Sequence, residues 1–362
     1  MNELLSRSPD VSVSGGNRTP AQRVYVRGVD DARLTSTING ARTSGVIFPH
    51  NGSNGIDPFL LERVEFEAGT VNALSGPATL GGAIRYETRD AEDLLLPGQT
   101  FGGLLRFSGQ TNGDQLTYGA AIYGRPDERF SYVLYYSDTF ADNYEDGDGN
   151  EVTFSDNEPS TAMIDLDFRP AEGHELSFTS IRREDNGLRS FQANFGVNPI
   201  LPPATPEDQE LIQMTNVLSY RFNPADNPMI DLQARIYENE TELVRRPTFP
   251  FPSTITGTWR TRGIELRNTS DFDRFSLTYG VDYTEEFSLG EVAGGPSASE
   301  TSRTFGAFVQ GDFDISDQLF VTAGLRFDAA SLTDIAGNEY EGGHISPNIG
   351  FRYTPTDDLA FF

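Results

Sequence analysis

A mainly β fold is what this 362-residue sequence predicts: a small mixed α/β domain at the N-terminus, then an antiparallel transmembrane β-barrel. Three observations carry the prediction. From Phe101 onward, apolar and polar side chains alternate with a period of two. The connections between these alternating segments are short and long in strict succession. A glycine-rich stretch from Leu61 to Thr88, LERVEFEAGTVNALSGPATLGGAIRYET, separates this region from a compact, mixed sequence before it.

Met1 to Ser14 has neither a basic start nor an apolar core of signal-peptide length, so the chain is expected to begin partway into a longer protein. Val11 to Ser14 and Arg23 to Val26 are strand candidates, separated by the turn-rich run Gly15 to Pro20. Leu34 to Ile38 is a third strand, closed by the strong turn signal Asn39-Gly40. Thr43 to Asp57 is rich in Gly, Pro, Ser and Asn and reads as an irregular exposed loop; it contains His50. Arg63 to Glu67 and Ala83 to Glu87 read as strands. Gly81-Gly82, at the start of the second, points to a close approach by another wall.

At these residues the chain resembles the TonB-dependent outer-membrane receptors. The stretch from Leu61 to Thr88 is similar to the end of that family's plug domain, where an E-R-(V/I)-E strand leads through a glycine-rich turn to L-G-G-(A/V)-I. Val24 to Gly28 (VYVRG) and Ile38 to Arg42 (INGAR) resemble its other plug signatures. Asp90 to Gly103 (DAEDLLLPGQTFGG) resembles the approach to the first barrel strand, most of all in the haem and haemoglobin receptor branch. Two departures stand out: Glu67-Ala68-Gly69-Thr70 replaces the usual Arg-Gly-Pro, and Ser75 replaces the usual Tyr. The resemblance implies a plug domain over residues 1–97 and the N-terminal half of a barrel over 98–362.

In the barrel region Leu116, Tyr118, Ala120 and Ile122 alternate with Thr117, Gly119, Ala121 and Tyr123. Ala162 to Phe168, Ile230 to Ile236, Phe275 to Tyr283 and Leu319 to Phe327 repeat the pattern. About 12 strands fit before Tyr353, and another starts near Leu359. Short turns are expected at Arg125–Arg129, Pro170–Gly173, Asn223–Asn227, Asp271–Asp273, Ser316–Asp317 and Pro355–Asp358. Long loops are expected at Asp138–Pro159, Asn186–Glu207, Glu238–Thr256, Gly290–Thr301 and Ser331–Gly343. All short turns then fall at one end, as in outer-membrane barrels.

Twelve strands about 4.8 Å apart and tilted by about 40° would close to a diameter of roughly 24 Å. A domain of about 97 residues needs roughly 32 Å, so it does not fit inside. About 22 strands give roughly 44 Å, so the barrel is expected to be incomplete, about 12 of about 22 strands.

Composition excludes other classes. No run approaches 18 consecutive apolar residues, so no transmembrane helix is predicted. The net charge of -27 argues against nucleic-acid binding, and the absence of cysteine excludes disulfides and thiolate metal sites. There is no His-Glu-x-x-His, Gly-x-Ser-x-Gly or phosphate-binding glycine motif, so no enzyme, catalytic residue or metal site is predicted. Asp146-Gly-Asp-Gly-Asn-Glu151 superficially resembles a calcium loop, but Glu151 stands where the turn needs Gly, and the run reads as a solvated acidic tip.

The resemblance then supplies the function expected. A monomeric receptor in the bacterial outer membrane, surrounded by its lipid, actively takes up an extracellular iron-containing ligand. It works with a TonB–ExbB–ExbD energy-transducing complex and binds no nucleic acid. Haem is expected as the transported ligand rather than as a cofactor, with His50 as its axial-ligand candidate, because haem receptors of this family place such a histidine at the plug apex. His174 and His344 are read as structural. The alternatives are a siderophore, cobalamin or glycan receptor of the same family, or a barrel-anchored enzyme or adhesin.

Overall fold

The computed structural model describes residues 5, 8–14, 22–43, 55–69, 72–77, 81–189, 206–248, 252–356 and 358–361. Two small sheets come first. Strands β1 (Val11–Ser14), β2 (Arg23–Val26) and β3 (Val29–Asp30) pair in sequence order. Strands β4 (Thr35–Ile38), β5 (Ala41–Arg42), β6 (Leu61–Ala68) and β7 (Gly82–Thr88) pair in the order β5-β4-β7-β6, with β4 and β7 parallel. Val11, Val24, Val26, Leu34, Ile56, Leu61, Ile84 and Tyr86 form the buried core between them. Each such apolar side chain contributes about 1.5–3 kcal/mol on full burial.

Gly82 shows why the glycine pair stands where it does. Its φ is +127°, and a Cβ there would lie 2.2 Å from the carbonyl oxygen of Glu67 on the paired strand. Only glycine allows β6 and β7 to approach this closely.

Short helical turns connect these strands to one another and to the C-terminal region. Asp57 caps the 3₁₀ turn Pro58–Leu60 by accepting from the Phe59 N–H, and Asn72 caps Ala73–Ser75 from the Leu74 N–H. Helix α1 (Ala91–Leu94) opens with a reciprocal capping box between Asp90 and Asp93.

The rest is one antiparallel wall of thirteen strands in which each pairs with its neighbours in sequence. They are β8 (Phe101–Gln110), β9 (Gln115–Asp127), β10 (Phe130–Phe140), β11 (Pro159–Phe168), β12 (His174–Arg189), β13 (Glu207–Phe222) and β14 (Asp231–Arg246). Then come β15 (Ile255–Phe272), β16 (Phe275–Val292), β17 (Gly295–Ser316), β18 (Leu319–Thr333), β19 (Glu339–Thr356) and β20 (Leu359–Phe361). The wall is open between β8 and β20, as expected of a partial barrel.

Period two sorts the wall's side chains onto two faces. On β9, Leu116 and Ile122 are exposed while Thr117, Ala121 and Tyr123 are buried on the inner face. On β11, Ile164 and Phe168 point out while Met163, Asp165 and Asp167 point in. Exposed Phe, Leu, Ile and Tyr side chains thus cover the outer face, which suits lipid, and polar groups line the inside.

The expected short turns are found, but three of the long loops are corrected. Strand β14 runs on to Arg246 before β15 starts at Ile255, β16 and β17 meet across Ala293-Gly294, and only 334–338 separate β18 from β19. At the first of these, charged pairs replace apolar ones, and one such pair also stands just below the second. Glu238 faces Arg262, Glu240 faces Arg260 and Glu285 faces Arg303 across the ladder. Cross-strand ion pairs carry the strands past the point where apolar alternation stops.

Candidate functional site

The wall's inner surface grips the N-terminal sheets at three places, and each grip is built from a motif already seen in the sequence. The first is the hairpin Ile38-Asn39-Gly40-Ala41-Arg42. Asn39 and Gly40 have φ of +49° and +75°, the left-handed pair of a two-residue hairpin turn. The Asn39 amide donates 2.8 Å to Thr88 Oγ1 and 3.1 Å to Thr179 Oγ1 on β12, and its oxygen accepts from the Thr88 N–H at 3.0 Å. A Cβ on Gly40 would lie 2.3 Å from the Arg235 guanidinium of β14. Glycine there lets that cation reach the hairpin tip. Arg42 lies 3.6 Å from Glu286 on β16 and donates to the Pro77 carbonyl at 3.3 Å.

The second grip is Asp57. Besides capping Phe59, it accepts from Tyr135 Oη at 2.7 Å and Ser137 Oγ at 2.9 Å on β10, and from Arg106 on β8 at 3.3 Å. Phe59 stacks on the Tyr135 ring, with centroids 5.3 Å apart. Beneath these, Leu60 and Ala91 pack on Ala121, Val133, Met163 and Ile181 of β9 to β12. This side of the contact is therefore apolar with one anchored carboxylate.

The third grip is the turn Ala73–Ser75. The Ala73 N–H donates to Gln310 Oε1 of β17 at 3.1 Å. Its carbonyl accepts from Arg326 of β18, which forks onto Asp282 at 2.7 and 2.8 Å and also bonds Asp328. Arg326 is buried but fully partnered. The two departures from the family's motif have their own bonds: Arg85 donates to Glu67 at 2.7 Å and to Ser75 Oγ at 2.8 Å. The altered turn is held by an ion pair.

Between the first and third grips lies a polar cavity of about 380 Å³, lined by Asn39, Arg85, Asp165, Thr179, Arg235 and Glu265 among others. Higher on the inner wall, buried Arg189 bonds Asp185 at 2.9 Å and Asp156 at 3.0 Å, and Arg245 bonds Glu207 at 2.5 Å. Among the described residues no group of three or more His, Asp or Glu side chains converges as a metal site. The inner carboxylates are held by arginines and hydroxyls.

His50 lies outside the described residues. The residues around its loop are seen: Thr43 bonds back to the Ser36 carbonyl, and Gly55 leads into the Asp57 anchor. A Cβ on Gly55 would meet Arg183 of β12 at 2.1 Å, so glycine lets the chain approach the wall there. His174 opens β12, with Nδ1 2.7 Å from Tyr220 Oη and its ring 4.4 Å from that of Phe222. His344 lies within β19 opposite Asp328 and is exposed. The acidic tip forms a turn in which Asp146 accepts from the Asp148 and Asn150 N–H groups at 2.9 Å.

Sequence reading did not single out Asp57, Gln310 or Arg326 as plug contacts. The signal was there for Arg326, a cation within the predicted strand from Leu319 to Phe327.

Comparison with known proteins agrees with this geometry. Residues 1–83 match the TonB-dependent receptor plug domain, and residues 101–362 match the TonB-dependent receptor-like β-barrel. The heme transporter BhuA of Brucella ovis is 29% identical over 373 residues, covering 100% of this chain and 54% of that protein. A hemin receptor of Yersinia enterocolitica is 27% identical over 380 residues, covering 99% of this chain and 52% of that protein. The chain spans about half the length of these curated relatives. Among solved structures, the FrpB iron transporter of Neisseria meningitidis matches with a TM-score of 0.88 at 21% identity, over 99% of this chain and 60% of that one. The Serratia marcescens hemophore receptor HasR matches at 0.77 and 19%, over 97% and 57%. A plug clamped inside a lipid-facing wall, matched along both parts, makes this chain a member of the TonB-dependent outer-membrane receptor family.

Proposed function

We propose that the receptor takes up haem or haemoprotein iron by active transport, without covalent chemistry on its ligand. Residues 1–97 are the plug in this reading, and 98–362 are the first part of the barrel. The supporting observation is the similarity of this chain, along its whole length, to haem transporters and hemin receptors, joined to a plug held by the wall at three polar grips. A plug held in this way requires an outside source of energy to move. The TonB–ExbB–ExbD complex supplies it in this reading, acting on a monomer.

His50 is the axial ligand in the proposal. A neutral imidazole suits haem iron. The test is a haem titration of the full-length receptor and its His50→Ala variant, monitored in the Soret band. A shifted band and weaker affinity in the variant are expected. Indistinguishable spectra and affinities would remove His50 from the site, and absence of haem binding by the unaltered receptor would remove haem as its ligand.

A further inference from the structure

The plug is fastened to the wall in two unlike ways, each confined to its own sector. On β8 to β12, two separate stretches of chain, 57–61 and 89–95, lie side by side as one pad. The Arg89 N–H donates to the Leu60 carbonyl at 2.8 Å, its Nε donates to the Leu61 carbonyl at 3.1 Å, and its guanidinium lies over the Phe59 ring. Leu60 and Ala91 are buried in the apolar cluster with Val133, Met163 and Ile181, and Leu94 and Leu95 pack against it. Charge pins the edges of the pad. Asp57 pairs with Arg106, and Glu92 Oε1 accepts from Arg169 at 2.8 Å and lies 3.4 Å from Arg125. Prying the pad off the wall would expose apolar surface, and no bond to water makes up for that loss.

Further round, the holds are polar. Asn39 reaches Thr179, Arg42 reaches Glu286, Arg235 lies against Gly40, and Ala73 bonds Gln310 and Arg326. Thr179 donates its own proton to Asp165 at 2.7 Å, so it meets Asn39 as an acceptor. Such bonds are given up at small net loss where water can replace them. The polar cavity of about 380 Å³ opens on them, with Thr37 and Thr88 on its plug side and Asp167, Ser219 and Arg267 on its wall side. Asn39 also clasps Thr88 through both ends of its amide, so the hairpin and the sheet move as one body. The chain passes from pad to sheet at Leu61 and Thr88, and the ladder is irregular at this joint. Leu61 pairs with Thr88 but Arg63 pairs with Glu87, leaving Glu62 as a bulge.

We infer that the plug sheet swings on this pad as on a hinge, bending at Leu61–Arg63 and Thr88–Asp90, while the hairpin parts from Thr179, Arg235 and Glu286. The cavity then widens into the passage for the transported ligand beside β13 to β15, and the side facing β9 to β11 stays closed. This rests on the transport reading of the chain but not on which ligand is carried.

The experiment puts a single cysteine on either side of the plug in the full-length receptor. Val217→Cys lies on β13 beside the cavity and Met163→Cys on β11 under the pad, at positions 3% and 2% exposed. Cells carrying one or the other receive haem and a thiol reagent, with the proton gradient intact or collapsed. Val217→Cys is expected to label about tenfold or more faster with haem and gradient together than with either missing, and Met163→Cys to label at one slow rate throughout. Acceleration at Met163→Cys, alone or alongside Val217→Cys, would overturn the hinge. So would an unchanged rate at Val217→Cys in cells that take up haem. If the unaltered receptor takes up no haem, the ligand reading fails and the hinge is decided on the purified full-length receptor in detergent. There, in urea too dilute to unfold the barrel, Val217→Cys is expected to react about tenfold or more faster than Met163→Cys, and equal or reversed rates would overturn it. Thr215→Cys and Ala121→Cys, both 4% exposed, replace the pair if either variant fails to fold.

Discussion

Asp57 shows how much a single side chain can hold. Its side chain is 12% exposed and takes bonds from β8, β10 and its own turn. Asp57→Ala leaves Tyr135, Ser137 and Arg106 without their acceptor, so a loss of about 2–4 kcal/mol in plug seating is expected. Limited proteolysis of the plug in the folded receptor measures it. Arg63→Ala, which breaks an exposed pair with Glu87, should leave the same rate nearly unchanged. Equal effects of the two would show that the grip on the wall is not at Asp57. Two exposed acidic tips give a pH prediction. Hydrogen bonds from Asn150 hold the Asp146 carboxyl below its ordinary 3.8, and those from Asn338 do the same for Asp334. Because the native pKa is depressed, each tip's added stability is complete above 3.8 and is lost as pH falls below it. Amide shifts of Asn150 and Asn338, measured by nuclear magnetic resonance, should titrate below 3.8. Midpoints at or above it would contradict the bonding described.

Strands are where the sequence was most legible. Alternation placed β9, β11, β14, β16 and β18 because lipid on one face and a polar lumen on the other impose period two. It failed at the strands' upper ends. Between Glu238 and Arg246 charged residues fall on both faces, and Gly290 to Thr301 is mostly small and polar, so nothing in the pattern distinguishes a ladder from a loop. Pairing between distant residues supplied the missing information. The lipid face itself yields a test. Val309 is 41% exposed at the middle of the apolar part of β17, between Phe305 and Phe313. Val309→Arg is expected to cost about 2–4 kcal/mol, as a cation does near a bilayer's midplane. Urea unfolding in lipid vesicles measures this, and a cost near zero would place β17 out of contact with lipid.

At the scale of the whole molecule the question is what moves. The plug meets β9 to β12 through apolar packing together with the bonds of Asp57 and Asn39, and meets β16 to β18 through separate polar bonds. With no native cysteine, an added pair can join the two parts. Asn39→Cys with Thr179→Cys replaces two side chains whose Nδ2 and Oγ1 atoms lie 3.1 Å apart, and loss of free thiol on oxidation reports whether the two backbones come close enough to be linked. If the plug must shift for transport, haem uptake by the full-length receptor falls on oxidation and returns on reduction. Unchanged uptake in the linked protein would mean that this hairpin stays in place. By itself, the sequence determined the order of elements and the two faces of the wall, because periodicity and glycine turns are local properties that the chain writes directly, and its motifs resembled those of the family. Tertiary structure alone decided which arginine meets which carboxylate and where Asp57 and Ala73 attach to the wall. Those contacts join residues up to 253 positions apart, and no local pattern encodes a partner at that distance.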